Sequence, residues 1–256
     1  QILSNKEQYG KNPRALILAP TRELAQQISE SIKVYGNHTK LRHVVIYGGV
    51  SQQNQVNSLR RGCDIVVATP GRLLDLINQQ HLSLKSVEHL VLDEADKMLD
   101  MGFINDIRRI SAYLPKNRQS LLFSATLSTE IRKLAATLLS HPVSIDIKPD
   151  KTLDTHTREQ VYFIEKGFKI QLLEHLMQQE HIERSLVFTR TRRGADRLVK
   201  ALAKKGIAAL AIHGDKSQSQ RLNALAMFKS RKLSMLIATD VASRGIDVQD
   251  LSHVIN

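Results

Sequence analysis

The 256 residues carry 37 basic and 25 acidic side chains, a net charge of +12, with 42% hydrophobic residues. That length suits one large or two ordinary globular domains, and the charge favours a polyanionic partner such as nucleic acid. A single cysteine, Cys63, excludes an internal disulfide and any cysteine-based metal site. The ten histidines form no HExxH or comparable zinc-binding pair.

No apolar run approaches the roughly 18 residues of a membrane span, and the polar start lacks the layout of a secretory signal. A soluble, cytoplasmic protein is the expectation. Up to Ile147 there are 18 basic and 13 acidic residues, and after it 19 and 12, so both halves are basic, at +5 and +7. A basic surface also serves solubility. With no Trp and 4% aromatic residues, grip on a phosphate backbone is favoured over base stacking.

Taken in chain order, short β-rich apolar runs alternate with longer amphipathic segments. Strands are expected at 15–19, 43–47, 64–68, 90–93, 120–123 and 143–147, with helices at 22–35, 52–60, 72–79, 97–113 and 129–139. This is the βαβα rhythm of a doubly wound, mainly parallel sheet. The polar, proline-containing stretch 148–157 breaks it and reads as an interdomain linker. A second series follows, with strands at 160–164, 186–189, 208–212, 235–238 and 253–255 and helices at 169–178, 194–205 and 217–229. The expected organisation is therefore a first α/β domain over 1–147, a linker over 148–157 and a second α/β domain over 158–256. Both series start or stop abruptly, so each domain is expected to be incomplete at its chain end.

Within the first series, residues 89–96 (HLVLDEAD) run from an apolar strand into three carboxylates. Open α/β sheets bind ligands at the carboxyl ends of their strands. Two adjacent acids there suit phosphoryl transfer, one holding Mg²⁺ on phosphates and the next orienting a water. Asp93 and Glu94 are the candidates for those roles. A plainer reading places Glu94, Asp96 and Asp100 in a solvated first helical turn, where the macrodipole favours acids.

Other strand ends share a punctuation of small, hydroxyl, Pro and Gly residues: Pro20-Thr21-Arg22-Glu23-Leu24-Ala25, Gly48-Gly49, Thr69-Pro70-Gly71-Arg72 and Ser124-Ala125-Thr126. Singly, Thr21, Thr69 and Ser128 read as helix caps and the rest as turn formers. Together they offer hydroxyls, helix N-termini and two arginine forks on the side where Asp93 emerges, a set that grips phosphates without reading bases.

PTRELA, GG, TPGR, DEAD and SAT, in that order, resemble the motifs of the DEAD-box RNA helicases. The second series continues the resemblance with LVFTR at 186–190, HGD at 213–215, Gln218 and Arg221, and ATDVASRGID at 238–247. The wording is most similar to the bacterial RhlE-like branch. The resemblance implies two RecA-like domains that close over ATP and single-stranded RNA and pry duplexes apart locally. It implies that Asp93 coordinates Mg²⁺, that Glu94 positions or deprotonates the attacking water, and that Asp96 hydrogen-bonds Ser124 and Thr126. Thr21, Arg22, Gly49, Thr69, Gly71 and Arg72 would contact RNA backbone from the first domain, and Arg190 and Thr239 from the second. Gly245 and Asp247 would meet the ATP ribose and the cleft between domains, with Arg244 in closure contacts. Ribonucleoprotein, RNA-decay or ribosome-assembly partners follow by the same resemblance.

A helix starting at Ser217 explains Gln218 and Arg221 as exposed surface. His213 reads as a strand-end histidine with a satisfied hydrogen bond rather than a catalyst.

The sequence departs from the family in two places. No GxxxxGK followed by Ser or Thr precedes PTRELA, and the family's arginine-rich motif, resembling HRxGRxxR, is expected to follow Asn256. The adenine-reading segment upstream of the phosphate loop is missing as well. The expectation is an internal piece of an ATP-dependent helicase, with little ATPase activity and poor solubility by itself. An ATP-independent RNA-annealing scaffold is the alternative, and a related DNA helicase a third reading.

Overall fold

A computed structural model of the chain describes residues 11–147, 158–179, 182–239 and 251–256. Compactness divides them into two units, with the break between Ser140 and His141. The expected linker at 148–157 lies outside the described residues.

The first unit holds β1 (Ala15–Leu18), α1 (Arg22–Tyr35), β2 (His43–Ile46), α2 (Gln52–Arg60), β3 (Ile65–Ala68), α3 (Pro70–Asn78), β4 (His89–Leu92), α4 (Ala95–Asp100), α5 (Ile104–Ser111), β5 (Gln119–Leu122) and α6 (Thr129–Leu138). All of its strand pairs are parallel, in the order β2-β3-β1-β4-β5. Strand side chains alternate between faces. Leu16, Leu18, Val66, Ala68, Leu90 and Leu92 pack with Leu73, Leu76, Ile107, Ile110 and Leu134 on one face. Ala15, Ile65 and Val67 meet Ala25, Leu24 and Ile28 of α1 on the other. Burial on both faces explains why these strands are continuous apolar runs.

The second unit holds a 3₁₀ turn (Lys166–Phe168), α7 (Lys169–Gln179), β6 (Ser185–Phe188), α8 (Arg192–Ala203), β7 (Ala209–Ile212), α9 (Gln218–Lys229), β8 (Met235–Ala238) and β9 (His253–Ile255). Its sheet is also parallel, in the order β7-β8-β6-β9. Leu173 of α7 and Ala195 and Leu202 of α8 cover Val187, Ala211, Met235 and Ile237. Arg184 clamps α9 onto β6: its guanidinium donates to the Phe228 carbonyl at 2.7 Å and lies 4.9 Å from the Phe228 ring centre. Among the described residues no helix is long and apolar enough to cross a membrane.

Caps set the helix starts. Thr21, Ser128, Thr191 and Ser217 each accept from the backbone N–H three residues on, and Ser217 with Gln220 completes a capping box. Thr69 occupies the cap position of α3 without that bond, because Pro70 already presets the first helical φ.

Three expectations need correction. The helix expected over 97–113 is two helices, broken at Gly102, whose φ of +81° suits glycine. The strand expected at 143–147 does not form, and Val143, Ile145 and Ile147 are 87%, 81% and 87% exposed. Nor does the one at 160–164, where Phe163 is 99% exposed. Both have the composition of a strand, but a strand also needs a neighbour for its backbone N–H and C=O groups. None pairs with either stretch among the described residues.

His43 at the start of β2 lies 2.9 Å from the Ser29 hydroxyl on α1. Burial, and then the charge of Lys33, hold its pKa below the ordinary histidine value. The unfolded chain therefore takes up a proton that the fold resists. His43's contribution to the stability of this unit is present above a pH of about 6.5 and is lost as the pH falls through the lower folded value. Denaturant midpoints of the first unit at pH 5.5 and 7.5 are expected to differ more in the parent chain than in His43→Gln.

Candidate functional site

Parallel register places the candidate groups of the first unit on one edge. Ile46, Ala68, Leu18, Leu92 and Leu122 form one row across the sheet. The chain leaves that row at Gly48-Gly49, Thr69, Thr21-Arg22, Asp93-Glu94 and Ser124-Thr126. Strand order then sorts them. The β2-β3-β1 side carries Gly49, Thr69, Gly71, Arg72, Thr21 and Arg22, and the β4-β5 side carries Asp93, Glu94, Asp96, Ser124 and Thr126.

On the first side Arg22 lies over the glycine pair. A methyl group built on Gly49 would fall inside the Arg22 guanidinium, and the φ of +75° at Gly49 already disfavours a side chain. Arg72 donates to the Val50 carbonyl at 3.4 Å and sits 4.0 Å from Asp75. The buried Gln55 donates its amide to the Tyr47 carbonyl at 2.9 Å, holding the start of the glycine loop. Gln55 was not a sequence candidate. Its signal is a glutamine beside Val56, on the buried face of α2. A Cβ on Gly71 would meet nothing within 4 Å, so packing within this chain does not require glycine there.

On the second side, burial and then the charge of Glu94 raise the Asp93 pKa; the Glu94 backbone N–H and Lys97 oppose the rise. Glu94 begins α4 in the left-handed region at φ 52°, a conformation that costs a non-glycine residue about 1–3 kcal/mol and is concentrated at functional sites. One of its carboxylate oxygens pairs with Lys97, and the other, Oε2, is buried and has no hydrogen-bond partner among the described residues. Asp96 Oδ2 accepts from both the backbone N–H and the hydroxyl of Thr126, each at 3.1 Å. Ser124 does not bond to Asp96 as expected. Its hydroxyl donates to the Thr126 carbonyl at 2.7 Å, closing the turn that presents Thr126.

In the second unit, Phe188, Ala238 and Ile212 form the corresponding row. It brings Arg190 and Thr239 into one groove. His213 is buried, its Nε2 3.1 Å from Asp196, which also pairs with Lys216 at 2.8 Å. This is the hydrogen bond expected of a strand-end histidine; His213 Nδ1 has no partner among the described residues. The hydrogen bonds from Lys216, then His213, depress the Asp196 pKa. Gln218 and Arg221 are buried rather than exposed, because α9 turns that side toward the sheet. Arg244, Gly245 and Asp247 lie outside the described residues.

Two parallel α/β units, one with paired carboxylates at a strand end, the other with a basic strand-end groove, define the RecA-like class of nucleotide-driven proteins. The chain belongs to the DEAD/DEAH box helicase family, whose family model matches residues 1–134; the helicase conserved C-terminal domain matches 168–256. It is 41% identical over 244 residues to the RNA helicase CrhR of Synechocystis, covering 95% of this chain and 50% of that protein. It is 44% identical over 252 residues to the ATP-dependent RNA helicase DBP2 of Mycosarcoma maydis, covering 96% and 45%. The chain thus spans about half the length of the curated relatives it matches. Comparable identity to a bacterium and a fungus does not single out the RhlE-like branch. Among solved structures, Saccharomyces cerevisiae Dbp5 bound to RNA and ADP BeF3 superposes with a TM-score of 0.83 at 30% identity, covering all of this chain and 65% of that one.

Gly49→Ala is expected to expel Arg22 from its seat and to destabilise the first unit by about 1–3 kcal/mol through the left-handed backbone. Denaturation midpoints and the weakened retention of the chain on a polyphosphate matrix check the two effects.

Proposed function

We propose that the protein is an ATP-dependent RNA helicase that couples ATP binding and hydrolysis to local unwinding of RNA duplexes or remodelling of ribonucleoproteins. The observation that carries this reading is the bridge from Asp96 to Thr126. It ties the loop after Asp93 and Glu94 to the loop of the next strand, so a change at the acids reaches Thr126. Membership of the family and the names of its relatives support the substrate class, and the basic charge supports a polyanion. Cytoplasmic action belongs to the same reading and is in keeping with a single free cysteine.

The acids fit Mg²⁺ and ATP. No cluster of three or more metal-ligating side chains occurs among the described residues. Mg²⁺ does not need one, because it is held by one or two carboxylates together with phosphates and water. Asp93 would hold the ion, which when bound supplies neutralising charge on the phosphates. Glu94 positions the attacking water or accepts its proton. Lys97 restrains one of its oxygens and so fixes the carboxylate's plane. Asp96, Ser124 and Thr126 form the coupling link, with Ser124 acting through the Thr126 turn.

Thr21, Arg22, Gly49, Thr69, Gly71 and Arg72 contact RNA backbone in this reading, as do Arg190 and Thr239. Arg22 provides a fork seated on the glycines, and the α1 and α3 N-termini provide backbone N–H groups. Such contacts carry no base information. Gly245, Asp247 and Arg244 are assigned to ATP and closure by the resemblance alone. By itself the chain turns over little ATP, since its 256 residues hold no GxxxxGK[S/T] pattern.

Joined to a phosphate-loop segment and the late arginine motif, the chain is expected to hydrolyse ATP faster when RNA is added. Glu94→Gln should lower that turnover by about 10²–10⁴-fold. RNA binding without turnover would support the annealing scaffold instead. Equal stimulation and unwinding with duplex DNA would support the DNA helicase.

A further inference from the structure

The groove that holds Arg190 and Thr239 does not end at them. It is a shallow groove, open to solvent, of about 940 Å³, and it continues along α8 past Arg193, Arg197 and Lys200. Among the described residues its two acids are engaged, Asp215 by Arg192 at 2.7 Å and Asp196 by Lys216 and His213. Arg190, Arg193, Arg197 and Lys200 have no ion pair among the described residues. The positive potential of this wall is therefore directed outward.

Helical spacing extends the wall. Residues 193, 197, 200 and 204 recur at steps of four, three and four, which places them on one side of a helix. They lie opposite Ala195 and Leu202, the residues α8 buries, and all four are exposed. At 1.5 Å per residue the stripe is about 16 Å long. A surface selected for solubility alone intersperses both signs. This stripe carries one, and it starts where the candidate backbone contacts stop.

We propose that Arg193, Arg197, Lys200 and Lys204 form a second phosphate-binding track, along which the same RNA strand continues past the segment held at Arg190 and Thr239. The inference rests on the RNA-binding reading of the chain. Lysine and arginine side chains on a helix face recognise successive phosphates without regard to sequence, so the track adds affinity with RNA length and leaves base preference unchanged.

The test titrates the whole chain with labelled single-stranded RNA of about six and about twenty nucleotides at several salt concentrations. The parent chain is compared with Arg197→Ala/Lys200→Ala/Lys204→Ala and with the charge-conserving Arg197→Lys/Lys200→Arg/Lys204→Arg. The alanine variant is expected to lose roughly tenfold affinity for the long RNA and much less for the short one. Its salt slope for the long RNA should fall by about two, at about 0.7 per phosphate contact on a single strand. The charge-conserving variant should behave as the parent, which excludes a folding defect. Equal losses on both RNAs, or none, overturn the track. Failure of the parent chain to bind either RNA overturns the underlying RNA reading itself.

Discussion

Parallel hydrogen-bonded register is the constraint on which the rest of the molecule depends. In each sheet it aligns one row of apolar residues, Ile46, Ala68, Leu18, Leu92 and Leu122 in the first and Ile212, Ala238 and Phe188 in the second. Each candidate group of the first unit lies one to four residues beyond such a row. The rows are held by burial on both faces, so the polar loops are aimed by an apolar core they do not touch. Slippage of one residue in any strand would turn its side chains to the other face and withdraw its loop from the edge.

Electrostatics then divides the edge. The acids of the first unit stand where burial works against charge, and Lys97 and the helix start of α4 offset part of that cost. The arginines are seated by carbonyls and glycines: Arg72 donates to the Val50 carbonyl and lies 4.0 Å from Asp75, and Arg22 lies above Gly49. In the second unit the two acids of the groove are spent on internal pairs, leaving its cations directed at a ligand. Acids on one side and cations on the other make an edge that can take a cation and an anion side by side.

Much of this was legible in the residues. The alternation of apolar runs and amphipathic stretches located all nine described strands within a residue or two. The signal is clearest at Ile65–Ala68 and Met235–Ala238, because strands buried on both faces have no polar positions to blur them. The acidic stretch after β4 and the caps at Thr21 and Ser128 were legible for the same local reason. The strands at 143–147 and 160–164 were not, since composition reports what a side chain prefers and not whether a backbone partner stands beside it. The single bond between Ser124 and Thr126, in place of one to Asp96, depended on a turn closing within three residues.

By itself the sequence determined the class of elements, the identity of the acids and arginines, and their placement at strand ends, all of which follow from short-range periodicity and turn chemistry. Only the tertiary structure decided that β1 inserts between β3 and β4, which sets the Thr21-Arg22 loop between the glycine and Arg72 loops and the acids. It alone also decided that Asp196 meets His213 and Lys216, and that Gln55 reaches Tyr47. These pairings join residues distant in the chain through packing of whole elements, and no local pattern carries that information.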